Sequence, residues 1–323
     1  MIAWVRSTGC GPNSGVDRPN RRCRRSSLSS TRTVMLVLVG GAVVEARMRR
    51  TLWLVSALAL SATGYFLTNL PELYARVKLD RSFPALSRYE FESTPDIAIV
   101  GSSMTFRLYE GYFSQPRLRN LSISGGSPLT GLAIIASYES LPRLILVETN
   151  IMSRPVDAAL VDQFGKNSAE PYKWFRPARA AISLAYYRIK YKSEAENVER
   201  LPKLEPVDYN ISDSVSFTMK EYASSKLDMA MRQNTEDLKR LIESLERRGC
   251  KIQLYELPYP DKLGETHYAV TARNLVRTAF PDSQKWLKID HQKLPLRWLD
   301  ASHMDERSSI IFAKEIDQII RMM

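Results

Sequence analysis

Four short stretches of this chain carry residue types that could do chemistry together. "DIAIV" runs into Gly101-Ser102-Ser103, and "NLSI" into Ser124-Gly125-Gly126-Ser127. "LILVE" runs into Thr149-Asn150, and Asp300-Ala301-Ser302-His303 stands just before the last helical run. A serine hydroxyl is a weak nucleophile until an imidazole takes its proton. The imidazole works as that base when a carboxylate holds its other ring nitrogen in the right tautomer. Asp300 and His303, three apart, can supply both from one turn. Acyl transfer also needs donors for a developing oxyanion, and the N–H groups of Ser103 and Gly125 and the amide of Asn150 are suitable. Each residue alone has a duller use. Ser103 could cap a helix, and Ser302 to Asp305 fits a capping box that would make His303 incidental. Gly125-Gly126 could be a plain turn, and Asn150 could satisfy nearby backbone. Ser102 also stands beside Ser103 as a rival nucleophile.

The elements that must position these residues alternate between strand-like and helix-like segments. That alternation predicts an α/β fold with a mainly parallel sheet. The strand candidates number five: Ile97–Gly101, Leu121–Ser124, Leu144–Thr149, Ile252–Leu257 and Trp286–Asp290. Helices are expected over Leu129–Leu141, Lys226–Arg248, Glu265–Ala279 and Asp305–Met322. In the Lys226 helix, Ser225 and Asp228 suggest a capping box, and Gly249 closes the run. Functional groups of an open parallel sheet gather beyond the carboxyl ends of its strands, where all four stretches fall.

Taken in order, these blocks resemble those of the SGNH/GDSL hydrolases. The family's G-D-S strand end is similar to Gly101-Ser102-Ser103, and its I-S-G glycine block to Ile123-Ser124-Gly125. Its asparagine block resembles Thr149-Asn150, and its D-x-x-H block Asp300 to His303. The resemblance covers residues 95–323. It implies a flavodoxin-like three-layer α/β/α fold with five strands, Ser103 as nucleophile, His303 as base and Asp300 as its partner. Ser103, Gly125 and Asn150 would form the oxyanion hole. Two positions depart from the pattern: Ser102 replaces the usual aspartate, and Ile151 follows Asn150 where an aspartate is usual. The Gly-Ser-Ser variant resembles the membrane-anchored SGNH-like proteins that work beside membrane-bound O-acyltransferases in cell-envelope modification. That implies an esterase or O-acetyltransferase acting on an acylated glycan or small ester, or a non-catalytic partner of such an acyltransferase.

Charge and hydropathy set the expected organisation. The formal net charge is +11, but residues 1–47 carry eight Arg against Asp17 and Glu45, and Arg49 and Arg50 follow. Only +3 remains on residues 51–323, so no nucleic-acid partner is expected. Thr51 to Leu70 holds no charged residue and is long enough to span a bilayer as a helix. With Arg49-Arg50 before it, residues 48–70 are expected to be a signal-anchor helix, leaving the body periplasmic or extracytoplasmic at a cell inner membrane. Met48 then reads as the natural start and residues 1–47 as a non-native leader. Residues 71–94 read as a linker, and about 151–225 as an insertion in the 95–323 domain. The insertion carries Tyr172, Trp174, Phe175 and Arg176, which could stack on sugar rings. His267 and His291 lack a carboxylate three residues earlier and are expected to be structural or exposed. Three histidines and one body cysteine, Cys250, offer no metal cluster, and no phosphate-binding glycine motif is present, so no metal or cofactor is expected.

Overall fold

The computed structural model describes residues 48–63, 82–167 and 194–323. The leader, residues 64–81 and the aromatic stretch around Trp174 lie outside the described residues. The chain divides into two compact units, Met1–Ser56 and Ala57–Met323. Residues 48–63 form helix α1, whose side chains are exposed except for the half-buried Ser61. The expected anchor over 48–70 therefore falls only partly within the described residues. Among these, no helix is long and apolar enough to cross a membrane.

The body is a mixed α/β structure around a parallel sheet. Strands β1 (Ile97–Val100), β2 (Leu118–Asn120), β3 (Leu144–Glu148) and β4 (Lys251–Tyr255) lie in the order β2-β1-β3-β4. All pairings are parallel, with Ile97 opposite both Leu118 and Leu144, and Leu144 opposite Lys251. Every residue of β1 and β3 is buried, so both faces of the sheet are covered. That is why these strands read as continuous apolar runs.

Among the described residues the sheet has four strands rather than the expected five. Trp286–Asp290 makes a single parallel bridge, Trp286 to Leu254, and lies between 3₁₀ turns at Ser283–Lys285 and His291–Lys293. The second strand begins at Leu118, ahead of the expected Leu121. Beyond Asn120 the chain still follows β1, since Leu121 N donates to Ile99 O and Ile123 N to Gly101 O. This extension carries the Gly125 turn to the mouth of the sheet.

Helix α2 (Ser82–Phe91) lies in what the sequence suggests is a linker. Its Arg88 reaches Glu92 and Glu110, and Glu92 also binds Arg119 of β2, forming a buried charged knot that ties α2 to β2. Helix α3 (Ser103–Phe106) follows β1, and α4 (Pro128–Ala136) follows the Gly125 turn. Proline opens α4 at a position where its missing N–H costs nothing, and Ser127 Oγ accepts from Leu129 N. Helices α5 (Ala158–Phe164), α6 (Glu194–Arg200) and α7 (Ser212–Tyr222) fall within the expected insertion.

Helix α8 (Asp228–Arg247) buries Met231, Leu238, Ile242 and Leu245 at helical spacing. Its expected capping box is replaced by a 3₁₀ turn, Ser225–Leu227, capped by Ser224. Helix α9 (His267–Ala279) packs on α8, and α8 on α4. Helix α10 (Glu306–Arg321) is capped by Asp305, whose carboxylate accepts from Ser308 N.

Candidate active site

The turn after β1 is built so that one serine is spent and the other is presented. Ser102 caps α3, its Oγ accepting from Met104 N at 3.2 Å, and is fully buried. The capping role that the sequence offers Ser103 is thus filled by its neighbour. Ser103, half-buried at the first helical position, has its hydroxyl turned to His303.

The Ser103 Oγ lies 3.0 Å from His303 Nε2, across 200 residues of chain. On the other side of the ring, His303 Nδ1 lies 2.8 Å from Asp300 Oδ2 and 3.0 Å from Oδ1. Asp300 Oδ1 also accepts from the backbone N–H groups of Ser302 and His303, each at 2.8 Å. Burial pushes the Asp300 carboxyl up. The His303 hydrogen bond, the two backbone N–H groups and the His303 charge together outweigh it and hold Asp300 down at about 2. An ionised carboxylate can only accept, so Nδ1 carries the proton donated to Asp300. Nε2 of the neutral ring is then an acceptor, and Ser103 O–H donates to it.

The loop that carries this pair is pinned on both sides. Trp298 and Met304 form an antiparallel bridge, and Leu299 N donates to His303 O. Ala301 N donates to Ser214 Oγ of α7 at 3.0 Å. Since Asp305 rather than Ser302 caps α10, His303 sits before the helix and not in its first turn.

Gly125 is exposed, with φ of 77°, a conformation costly for any residue with a Cβ. Among the described residues, neither its N–H nor that of Ser103 makes a hydrogen bond. Asn150 is placed differently from this open pair. It is 2% exposed, and its side-chain amide bridges to one residue beyond β4. Nδ2 donates to Leu257 O and Oδ1 accepts from Leu257 N, both at 2.8 Å. One amide hydrogen is left for any other acceptor.

The sequence reading missed Glu148. It closes β3 fully buried beneath the Ser102-Ser103 turn and accepts from Ser102 N at 2.7 Å, Ser102 Oγ at 2.9 Å and Thr105 Oγ1 at 2.9 Å. Thr105 Oγ1 in turn meets Tyr255 OH at 2.8 Å. Burial, the largest influence, raises the Glu148 pKa against the lowering effect of these donors. A Cβ on Gly101 would stand 2.6 Å from both Glu148 Oε2 and Thr105, so this packing admits only glycine there. The signal was visible as a carboxylate ending an otherwise apolar parallel strand, a residue that needs dedicated donors.

The remaining histidine and metal expectations concern other surfaces. His267 Nε2 meets Asp228 at 2.9 Å at an exposed position between α9 and α8. Among the described residues, no group of His, Cys, Asp and Glu is placed to hold a metal ion. A cavity of about 800 Å³ runs along the far half of α10, lined by residues such as Tyr112, Lys314 and Asp317. None of Ser103, Asp300 or His303 lines it. No protein-family model, no curated protein and no solved structure matches this chain.

Proposed function

We propose that this chain is a membrane-anchored, SGNH-type acyl-transfer protein that works through an acyl-Ser103 intermediate. The observation that carries the reading is the continuous chain of hydrogen bonds from Ser103 through His303 to an ionised Asp300. The sheet order β2-β1-β3-β4 supports the flavodoxin-like arrangement, being the first four strands of that topology.

In the proposed cycle, Ser103 Oγ attacks an ester carbonyl while its proton passes to His303 Nε2. The imidazolium so formed is stabilised by Asp300. The tetrahedral oxyanion is met by the N–H groups of Ser103 and Gly125, with the remaining amide hydrogen of Asn150 as a third donor. The C–O bond to the leaving alcohol breaks, and His303 returns the proton to that oxygen. An incoming hydroxyl then gives its proton to His303 and attacks the acyl-serine, and the departing Ser103 Oγ takes that proton back from His303. Water as acceptor makes an esterase, and a sugar hydroxyl an O-acetyltransferase. The proposed setting is the outer side of a cell inner membrane, beside a membrane-bound O-acyltransferase.

Fluorophosphonate labelling of the full-length protein, read by intact mass, tests this. One adduct is expected on the parent and none on Ser103→Ala or His303→Ala. A folded parent that takes no label would overturn the reading and leave a non-catalytic partner role.

A further inference from the structure

Among the described residues, one arginine at the mouth of this site makes no hydrogen bond or ion pair. Arg154 tops the loop from β3 to α5, and the residues around it are fixed. Met152 O accepts from Asn234 Nδ2 at 2.8 Å, Ser153 Oγ meets Tyr268 OH at 3.1 Å, and Asp157 N donates to Thr130 Oγ1 at 2.9 Å. Arg154 itself is exposed and, among the described residues, makes no hydrogen bond or ion pair. Its Nη1 lies 3.9 Å from where a Cβ on Gly125 would be. The cation therefore borders the same glycine whose N–H faces the reacting carbonyl in the proposed cycle. The wall behind it is aromatic, with Tyr222 stacked on Tyr268 at 4.3 Å between ring centres. Burial and Tyr268 push the Tyr222 hydroxyl up to about 12, while the Arg154 charge pulls against them.

We propose that Arg154 is a recognition site for an oxyanion, a carboxylate or phosphate carried by the substrate close to its scissile ester. The inference rests on the acyl-transfer reading above and adds the chemical class of the substrate. A guanidinium offers a planar fork of donors that matches both groups two bonds at a time. Because the loop beneath it is already fixed, binding needs only the side chain to settle, and the backbone ordering cost is small. An aromatic wall beside the cation suits a ring or an alkyl face next to the charge.

Three acetate esters separate the possibilities: phenyl acetate, 3-acetoxybenzoate and 3-acetoxyphenyl phosphate, each assayed on the full-length protein. Arg154→Gln should lower kcat/KM for the charged esters about tenfold or more relative to phenyl acetate, through KM, with Arg154→Lys between. The two charged esters show whether carboxylate or phosphate is preferred. An unchanged ratio, or an equal fall for all three through kcat, would overturn the proposal. A second readout needs no turnover. In Ser103→Ala, the arginine side-chain NMR signal that vanishes on adding Arg154→Gln should shift with 3-hydroxybenzoate or phenyl phosphate, and not with phenol. If no ester is turned over but this signal moves, the acyl-transfer reading fails and the anion site stands. If it moves with neither anion, the anion site falls.

Discussion

Glu148 allows the sharpest test of how the turn carrying Ser103 is held. Replacing it with alanine removes the acceptor for Ser102 N, Ser102 Oγ and Thr105 Oγ1, all in a fully buried setting. At about 1 kcal/mol for each stranded donor, the low end of the usual range, Glu148→Ala should cost about 3 kcal/mol. For a domain of this size that corresponds to about 6–12 °C in Tm. Glu148→Gln keeps one carbonyl acceptor and offers its NH₂ to the Ser102 hydroxyl, so its loss should stay near 1 kcal/mol. The pH dependence separates charge from shape. Since burial raises the folded-state pKa above the ordinary 4.5, the folded protein holds this proton more tightly than the unfolded chain. The associated stability is fully present below about pH 4.5 and is lost as pH rises through the raised value. Thermal melts followed by circular dichroism at pH 4.5 and pH 8 should show Glu148→Gln gaining on the parent at the higher pH. A Glu148→Ala Tm within about 2 °C of the parent would refute the claim that this carboxyl holds the turn. A gap between Glu148→Gln and the parent that does not move with pH would refute the raised pKa.

Two further predictions concern the partners of the proposed base and of Asn150. Asp300→Asn should lower the rate of Ser103 acylation about 10³- to 10⁴-fold, because the amide no longer enforces the Nδ1–H tautomer. Its stability penalty should be present above about pH 3.8, the ordinary value, and disappear as pH falls through about 2, so that melts at pH 5 and pH 2.5 would show it partly lost at the lower pH. Asn150→Ala strands both backbone groups of the buried Leu257 and should cost about 2–4 kcal/mol in denaturant unfolding. If its remaining amide hydrogen serves the oxyanion, acylation slows by about 10²-fold as well.

The parallel α/β arrangement was legible because β1 is an apolar run and β3 an apolar run closed by one carboxylate, each followed by small polar residues. Helices α8 and α10 were legible from their spacing, with ends displaced by one or two residues. The fifth strand was misread since Trp286–Asp290 has strand-like composition but pairs with β4 through a single bridge. The residues around Ser103 were found by their order at strand ends. The choice of Ser103 over Ser102 came from the family resemblance alone, because the physical reason, Glu148 capturing Ser102 from 46 residues away, is not visible in the local sequence. Arg154 gave no signal of its own. Its position matters only because the fold brings the loop after β3 beside Gly125.

The 200-residue separation between Ser103 and His303 has a consequence for the life of the nascent chain. At the usual rate of about 5–20 residues per second, the serine is made roughly 10–40 s before its imidazole partner. Throughout that interval the hydroxyl has no partner to take its proton. On the acyl-transfer reading proposed above, the order of synthesis itself would keep an unfinished chain from reacting with esters.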